Sequence, residues 1–254
     1  METNKTSKKS ISSVFKPYLK HKQVYKGGKN APAHIEEVVK LSSNENPLGA
    51  SPKAVAAFRK AAEGVQAYPD QTDVRLREAL AKAYFGQLPE EQFLCGNSGS
   101  ELIDLVLRGF IREGDEVIFS NPCFLPYAVF SRWYDAKLVD VPLKDPDYAL
   151  DVEWIIAAVT RHTRIVFLTS PNNPTGIYIT NDHIDALLHA LPGDILVVLE
   201  EVYWHFAEAE DYVTAMPYVQ ANRPVISINS FSKTFGLAGL RLGYAYTTSE
   251  IALY

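Results

Sequence analysis

The stretch SINSFSKTFGLAGLRLGY, residues 227–244, carries a lysine soon after an apolar run and an arginine eight positions later. On a surface the Lys233 amine is a solvated cation, because its ordinary pKa is about 10.4. Partly buried beside other cations, the same amine has a lower pKa and can form a Schiff base. Ser230 and Ser232 are either turn residues or hydroxyl donors to an anion. Arg241 is either solvated at a strand edge, or its planar guanidinium binds a phosphate through two N–H groups.

A second candidate segment is CGNSGSELIDLVLRGF, residues 95–110, where a predicted strand is followed by a predicted helix. Ser98, Gly99 and Ser100 lie at the start of that helix. Free N–H groups at a helix N-terminus bind phosphate, and glycine lets an anion approach closely. The same residues fit an ordinary serine N-cap with Glu101 in the first turn. Both interpretations remain open on the sequence alone.

An aromatic and an amide side chain follow two other apolar runs. Phe124 lies in NPCFLPYAVF (121–130) and could stack on a flat heteroaromatic ring, although core packing is the commoner role. Asn173 lies in TSPNNPTGIYI (169–179) and could donate to a cofactor oxygen, or the segment is simply a rigid turn.

Two glutamates end the apolar run LVVLEEVYWHF, residues 196–206. Glu200 and Glu201 are adjacent on a strand, so their side chains point to opposite faces and at most one faces a given site. A buried carboxylate needs a partner, such as a protonated ring nitrogen. Otherwise the pair is solvated at a strand end. Tyr203 could direct its hydroxyl at a second cofactor oxygen.

The order of these segments matches one cofactor. They supply a phosphate cradle, a stacking ring, an amide, a carboxylate with a tyrosine, and a lysine with an arginine. Pyridoxal 5′-phosphate (PLP) has a phosphate, a flat ring, a phenolic oxygen, a pyridine nitrogen and an aldehyde that reacts with lysine. We therefore expect PLP. No metal is expected, since nothing near His205 suggests a metal site.

The elements that position these residues alternate along the chain. Apolar runs predict strands within 92–96, 115–120, 136–142, 163–171, 194–201 and 224–230. Helices are predicted at 51–64, 72–86, 99–112, 123–134, 151–160, 180–190 and 209–219. A capping box formed by Thr247 and Glu250 predicts the start of one more helix. Strands that are apolar throughout and separated by helices indicate an α/β fold with a mainly parallel sheet covered on both faces. Ligands of such sheets bind at the carboxyl ends of the strands, where the candidate residues fall.

Composition restricts the class of protein further. The 254 residues are 47% hydrophobic and 22% charged, which is typical of a globular protein. A net charge of −5 argues against a nucleic-acid partner, and no apolar run has transmembrane length. Two isolated cysteines favour a reducing compartment, so we expect a cytoplasmic protein. Residues 1–22 are polar and lysine-rich and lack the apolar core of a secretory signal. Their serine content and few acidic residues also fit a transit peptide, but we interpret residues 1–40, which show little periodicity, as an arm.

Six segments resemble, in order, the motifs of fold-type I PLP-dependent aminotransferases of the histidinol-phosphate aminotransferase-like group. They are LSSNENPLG, AYPD, GNSGSELID, SPNNPTG, EEVYWHF and SFSKTFGLAGLRLGY. The resemblance covers about residues 15–254. It implies a PLP-binding large domain over 41–254, an N-terminal arm and part of a small domain over 1–40, and a C-terminal small domain missing from this sequence.

The resemblance also implies roles for individual residues. Lys233 would bond covalently to PLP, with Glu200 at the pyridine nitrogen and Phe124 stacked on the ring. Asn173 and Tyr203 would bind the phenolic oxygen, and the phosphate would be held by Ser98, Gly99, Ser100, Ser230, Ser232 and Arg241. Tyr68 of AYPD would reach the phosphate in a partner subunit, which implies a homodimer with shared sites. Tyr18 and Asn46 would contact substrate.

Two departures from the family pattern are visible. Glu200 occupies a position that is normally aspartate, so its carboxylate extends one methylene further. The phosphate segment reads NSGSE rather than the usual G-S/A-D-E pattern. The arginine that binds the substrate carboxylate in the family belongs to the missing small domain.

The function implied is transfer of an amino group between an amino acid or amino-alcohol phosphate and a 2-oxo acid, with Lys233 as general base. A PLP-dependent decarboxylase of the threonine-phosphate type and an inactive fragment or PLP-binding module are the alternatives. A nicotinamide-dependent dehydrogenase is disfavoured, because Gly236, Gly239 and Gly243 lack the spacing of a dinucleotide fingerprint.

Overall fold

The computed structural model describes residues 10–16, 19, 39–84 and 86–254. Most of the predicted arm, including Tyr18, lies outside these residues. The bounds of the strands are β1 Phe93–Gly96, β2 Glu116–Phe119, β3 Lys137–Asp140, β4 Thr163–Thr169, β5 Leu196–Glu200, β6 Val225–Ser230 and β7 Gly243–Thr247. The helices are α1 Pro52–Ala61, α2 Val74–Ala83, α3 Gly99–Phe110, α4 Pro126–Trp133, α5 Val152–Ala158, α6 Asn181–Ala190, α7 Met216–Gln220 and α8 Ser249–Ala252.

These strands form one mixed sheet in the order β1-β7-β6-β5-β4-β2-β3. The β2–β3, β2–β4, β4–β5 and β5–β6 pairs are parallel, whereas β7 is antiparallel to both of its neighbours. The predicted α/β class and mainly parallel sheet are therefore confirmed. The carboxyl ends of β4, β5 and β6 lie at the same edge, where β7 begins.

Two apolar cores lie on opposite faces of the sheet. On β4, Ile165 and Phe167 pack with buried residues of α3 and α4, while Val166 and Leu168 pack with α5 and α6. Successive side chains of a strand point to opposite faces, so a strand covered on both faces is apolar at every position. This double burial explains the uninterrupted apolar runs of the sequence.

Three details differ from the sequence-based predictions. Strand β7, Gly243–Thr247, was not among the predicted strands, because it begins at a glycine rather than at an apolar run. The helix predicted at 209–219 covers only Met216–Gln220, since Tyr212 forms a bridge with Thr180 instead. Thr247 is not the N-cap of the last helix: it is the final residue of β7, and Thr248 accepts the capping hydrogen bond from the Ile251 N–H at 3.4 Å.

Helix α1 contrasts with the helices of the two cores. It has Pro52 at its first position, as predicted, but none of its residues is buried. Apolar side chains around it, including Leu48, Phe58 and Val65, are exposed. Within the described ranges, no helix combines the length and the apolar character needed to cross a membrane.

Candidate active site

A cavity of about 530 Å³ lies at the edge of the sheet where β4, β5 and β6 end. Eleven of the predicted site residues line it: Ser98, Gly99, Ser100, Phe124, Asn173, Glu200, Tyr203, Ser230, Ser232, Lys233 and Arg241. The fold thus brings together side chains that are up to 143 positions apart in sequence. The remaining wall includes the segment Ser42–Glu45.

Lys233 lies in the loop after β6 and projects into this cavity. Its Nζ donates a hydrogen bond to the Ser43 carbonyl oxygen at 2.6 Å. Burial lowers the pKa of Lys233, the carboxylates of Glu45 and Glu200 oppose that shift, and the positive charge of Arg241 adds to it. A lowered pKa increases the fraction of neutral amine, which is the form that attacks a carbonyl carbon.

The segment after β1 forms one end of the cavity. Ser98 is the N-cap residue of α3, but its side chain makes no capping hydrogen bond to that helix, so the ordinary serine cap is not what the structure shows. Gly243 permits β7 to approach this turn closely: a Cβ at Gly243 would lie 2.5 Å from the Ser98 carbonyl carbon and 2.6 Å from the Gly99 nitrogen. The first-turn N–H groups of α3 are therefore held at the cavity wall, where they can bind an anion.

The serine and arginine residues that flank Lys233 complete this end. Ser230 Oγ accepts a hydrogen bond from the Ser232 N–H at 3.1 Å, and both side chains are buried. Arg241 has a left-handed backbone with φ of 52°, and its Nη1 donates to the Ala238 carbonyl at 3.0 Å. Hydroxyls, helix N–H groups and a guanidinium on one wall form a cradle whose chemistry fits a phosphate.

The two adjacent glutamates point to opposite sides of the sheet, as predicted. Glu200 is 7% exposed and lines the cavity. Burial raises its pKa to about 7, although a hydrogen bond from Tyr127 and the charge of Lys233 act in the other direction. Glu201 is 0% exposed and faces the core, where it accepts hydrogen bonds from the Ala215 N–H at 2.8 Å, the Tyr246 hydroxyl at 2.7 Å and the Ser227 hydroxyl.

An amide and two aromatic side chains form the remaining side of the cavity. The Tyr203 hydroxyl accepts a hydrogen bond from Asn44 Nδ2 at 3.1 Å. Asn173 lies on the wall that this cavity shares with a second one of about 510 Å³, which extends along residues 171–178 and 206–209. Phe124 stands edge-on to Tyr127, with ring centroids 5.8 Å apart and an interplanar angle of 85°.

The segment Ser42–Glu45 was not assigned a role from the sequence, yet it closes one side of the cavity. Asn46, which follows it, donates from Nδ2 to the Thr234 carbonyl at 3.0 Å and accepts from the Leu48 N–H at 2.9 Å. Asn46 thus ties this segment to the loop of Lys233. It does not line the cavity, so its predicted contact with substrate stays a prediction.

One other predicted residue of the described ranges, Tyr68, lies away from the cavity. Tyr68 is 98% exposed and does not line the cavity of its own chain. Tyr18 is outside the described residues. No group of His, Cys, Asp and Glu in the described part of the chain is arranged to hold a metal ion.

Residues 36–254 match the model of the family described as aminotransferase class I and II. The chain belongs to this family. Histidinol-phosphate aminotransferases from Moorella thermoacetica and Maricaulis maris are similar, with 37% identity over 96% of this chain and 41% identity over 89% of it, respectively. Each alignment covers 62% of the relative, so the chain spans about three fifths of the length of these proteins.

Solved structures of the family have the same fold. Histidinol-phosphate aminotransferase from Sinorhizobium meliloti, solved in complex with pyridoxal-5′-phosphate, superposes with a TM-score of 0.76 and 30% identity, over 82% of this chain and 56% of that one. A structure described as a putative histidinol-phosphate aminotransferase from Erwinia carotovora atroseptica gives a TM-score of 0.77 and 28% identity, over 83% and 61%. The fold is therefore that of fold-type I PLP aminotransferases.

Proposed function

We propose that this chain binds PLP in the cavity at the end of β5 and β6 and transfers an amino group from an amino donor to a 2-oxo acid. One observation carries the proposal. A lysine with a lowered pKa, a buried carboxyl and a phosphate-type cradle line the same cavity. PLP has a partner for each of them: an aldehyde for the amine, a pyridine nitrogen for the carboxyl and a phosphate for the cradle.

The residues present fit PLP at each of its functional groups. The first turn of α3, with Ser98, Gly99 and Ser100, would hold the phosphate together with the two serines before Lys233 and with Arg241. Asn173 and Tyr203 would bind the phenolic oxygen, and Phe124 would pack on the ring. Glu200 would face the ring nitrogen. Burial makes a charged carboxylate costly, so a cationic ring nitrogen would stabilise Glu200 in its ionised form.

Two side chains would carry the proton chemistry. When bound, PLP supplies a ring that withdraws electrons from the substrate carbon. Lys233 would hold the cofactor covalently and, once the donor amine has displaced it, its neutral Nζ would take the proton from the donor Cα. Glu200 would keep a proton on the ring nitrogen, and the Tyr203 hydroxyl would hold the phenolic oxygen in place.

For the donor, we propose an amino-alcohol phosphate of the histidinol-phosphate type. The support comes from the relatives at 37% and 41% identity that carry this name. The second cavity adjoins the first at Asn44, Asn173 and Tyr203, which leaves space for a donor side chain beside the proposed ring site.

We also propose that two copies of the chain share their sites, with Tyr68 reaching the phosphate in the partner. Its full exposure and the exposed apolar residues on and around α1 support an interface on this side. The proposal includes residues 1–40 as an arm, residues 41–254 as the large domain, and a cytoplasmic location. The free thiols of Cys95 and Cys123 suit a reducing compartment.

The test is a Lys233→Ala substitution, with Lys144→Ala as control because Lys144 lies in a surface ion pair. Unmodified protein and the control should show the absorbance band of lysine-bound PLP, and both should convert histidinol phosphate and a 2-oxo acid to an oxo product and an amino acid. Lys233→Ala should lose the band and the activity while PLP still binds through the phosphate cradle. Persistence of the band in Lys233→Ala would refute the assignment. Release of carbon dioxide instead of an oxo product would indicate the decarboxylase alternative.

A further inference from the structure

We propose that Tyr127 is a positioning residue, which fixes the Glu200 carboxylate and the Phe124 ring on two sides of the proposed cofactor position. This inference rests on the proposed function. Tyr127 does not line the cavity. It acts through side chains that do.

The hydroxyl of Tyr127 joins the ends of two neighbouring strands. It donates to Glu200 Oε2 and lies 2.8 Å from Thr169 Oγ1. Thr169 ends β4, Glu200 ends β5, and the two residues are paired in the sheet register. A phenol has one proton, so if Tyr127 donates to Glu200 it must accept from Thr169. The hydrogen bonds then run in one direction, from Thr169 through Tyr127 to the carboxylate.

The ring of Tyr127 is itself held by aromatic contacts. It stacks on Phe167, with centroids 4.5 Å apart and planes at 12°, and it meets Phe124 edge-on. Tyr127 is 1% exposed and lies in the first turn of α4. A ring packed in this way has little rotamer freedom, and its hydroxyl therefore offers Glu200 a fixed donor.

Glu200 needs such a donor because its carboxyl is carried on a side chain with three torsions. Without an anchor, a buried carboxylate could turn towards the charged amine of Lys233 rather than face the proposed position of the ring nitrogen. The titratable and charged groups that act on Glu200 are Tyr127 itself, Lys233 and the nearby thiol of Cys123. Of these three groups, only Tyr127 donates a hydrogen bond to the carboxylate within the described part of the chain.

The experiment compares Tyr127→Phe with Tyr218→Phe. Tyr218 is also buried, but its hydroxyl donates to Asn181 Oδ1 at 2.7 Å, in the core on the other face of the sheet. Two quantities are measured: the dissociation constant of PLP, and the pH midpoint of the absorbance of lysine-bound PLP. A hydrogen bond to a charged group is worth about a factor of ten in an equilibrium constant. Tyr127→Phe should therefore weaken PLP binding about tenfold and shift the pH midpoint, whereas Tyr218→Phe should change neither.

Two further variants separate positioning from general destabilisation. Thr169→Val removes the hydroxyl at the other end of the hydrogen-bond chain without changing side-chain volume. It should shift the pH midpoint of the lysine-bound PLP absorbance by less than Tyr127→Phe does. In a Glu200→Gln background, Tyr127→Phe should weaken PLP binding much less than it does in the unmodified protein. Equal effects in both backgrounds, or an unchanged midpoint in Tyr127→Phe, would overturn the inference. If unmodified protein fails to bind PLP, the proposed function fails instead.

Discussion

The buried carboxyl of Glu201 makes the stability of this protein depend on pH, and a single substitution tests the effect. Burial raises the pKa of Glu201 from 4.5 to about 7, although hydrogen bonds from Ser227, Tyr246 and the Ala215 N–H act against the shift. A group whose pKa is higher in the folded state binds its proton more tightly there. Its contribution to stability is full below the unfolded pKa and is lost as pH rises through the folded pKa.

The magnitude follows from the size of the shift. Between pH 4.5 and 7 the unfolded chain has lost a proton that the folded protein keeps, so the free energy of unfolding falls by about 1.4 kcal/mol per pH unit. The total for Glu201 is about 3 kcal/mol, and above pH 7 the contribution no longer changes. Glu200, which has a similar pKa, makes the free energy of unfolding fall more steeply with pH as long as no cofactor is bound.

The Glu201→Gln substitution removes the contribution of Glu201 to the pH dependence of stability, because glutamine keeps the shape of the side chain but does not ionise. Its free energy of unfolding, measured with urea on cofactor-free protein, should decline less steeply between pH 5 and 8 than that of unmodified protein. Glu153→Gln is the control, since Glu153 is exposed, in a long surface ion pair with Lys144. Parallel stability curves for Glu201→Gln and unmodified protein would refute the reasoning.

Two further predictions concern the phosphate cradle. Gly243→Ala should lower the free energy of unfolding by about 1–3 kcal/mol in urea titrations, because its Cβ would overlap the backbone of Ser98, whereas Gly239→Ala has open space around it and should change little. Arg241→Ala should raise the dissociation constant of PLP about tenfold in an absorbance titration, because a charge-assisted hydrogen bond to phosphate is lost. An unchanged dissociation constant would remove Arg241 from the cradle, and Arg161→Ala, on the surface, controls for net charge.

The fold class and most of the cavity wall could be predicted because their signals are local. Apolar runs and helical periodicity indicated six of the seven strands of the described sheet and most of the helices between them. The rule that ligands bind at the carboxyl ends of parallel strands then placed Lys233, Glu200 and Asn173 at one edge. Strand β7 was missed because its first residue, Gly243, serves two purposes: it pairs in the sheet and makes room for the turn at Ser98.

What the sequence determined by itself was the type of most elements and the face to which their residues point, since both follow from spacing along the chain. Only the tertiary structure decided which distant groups meet. The Thr169, Tyr127 and Glu200 side chains come from three elements, and the contact of Lys233 with the Ser43 carbonyl spans 190 positions. Such contacts depend on how helices and loops pack against the sheet, and residue spacing along one element carries no information about that packing.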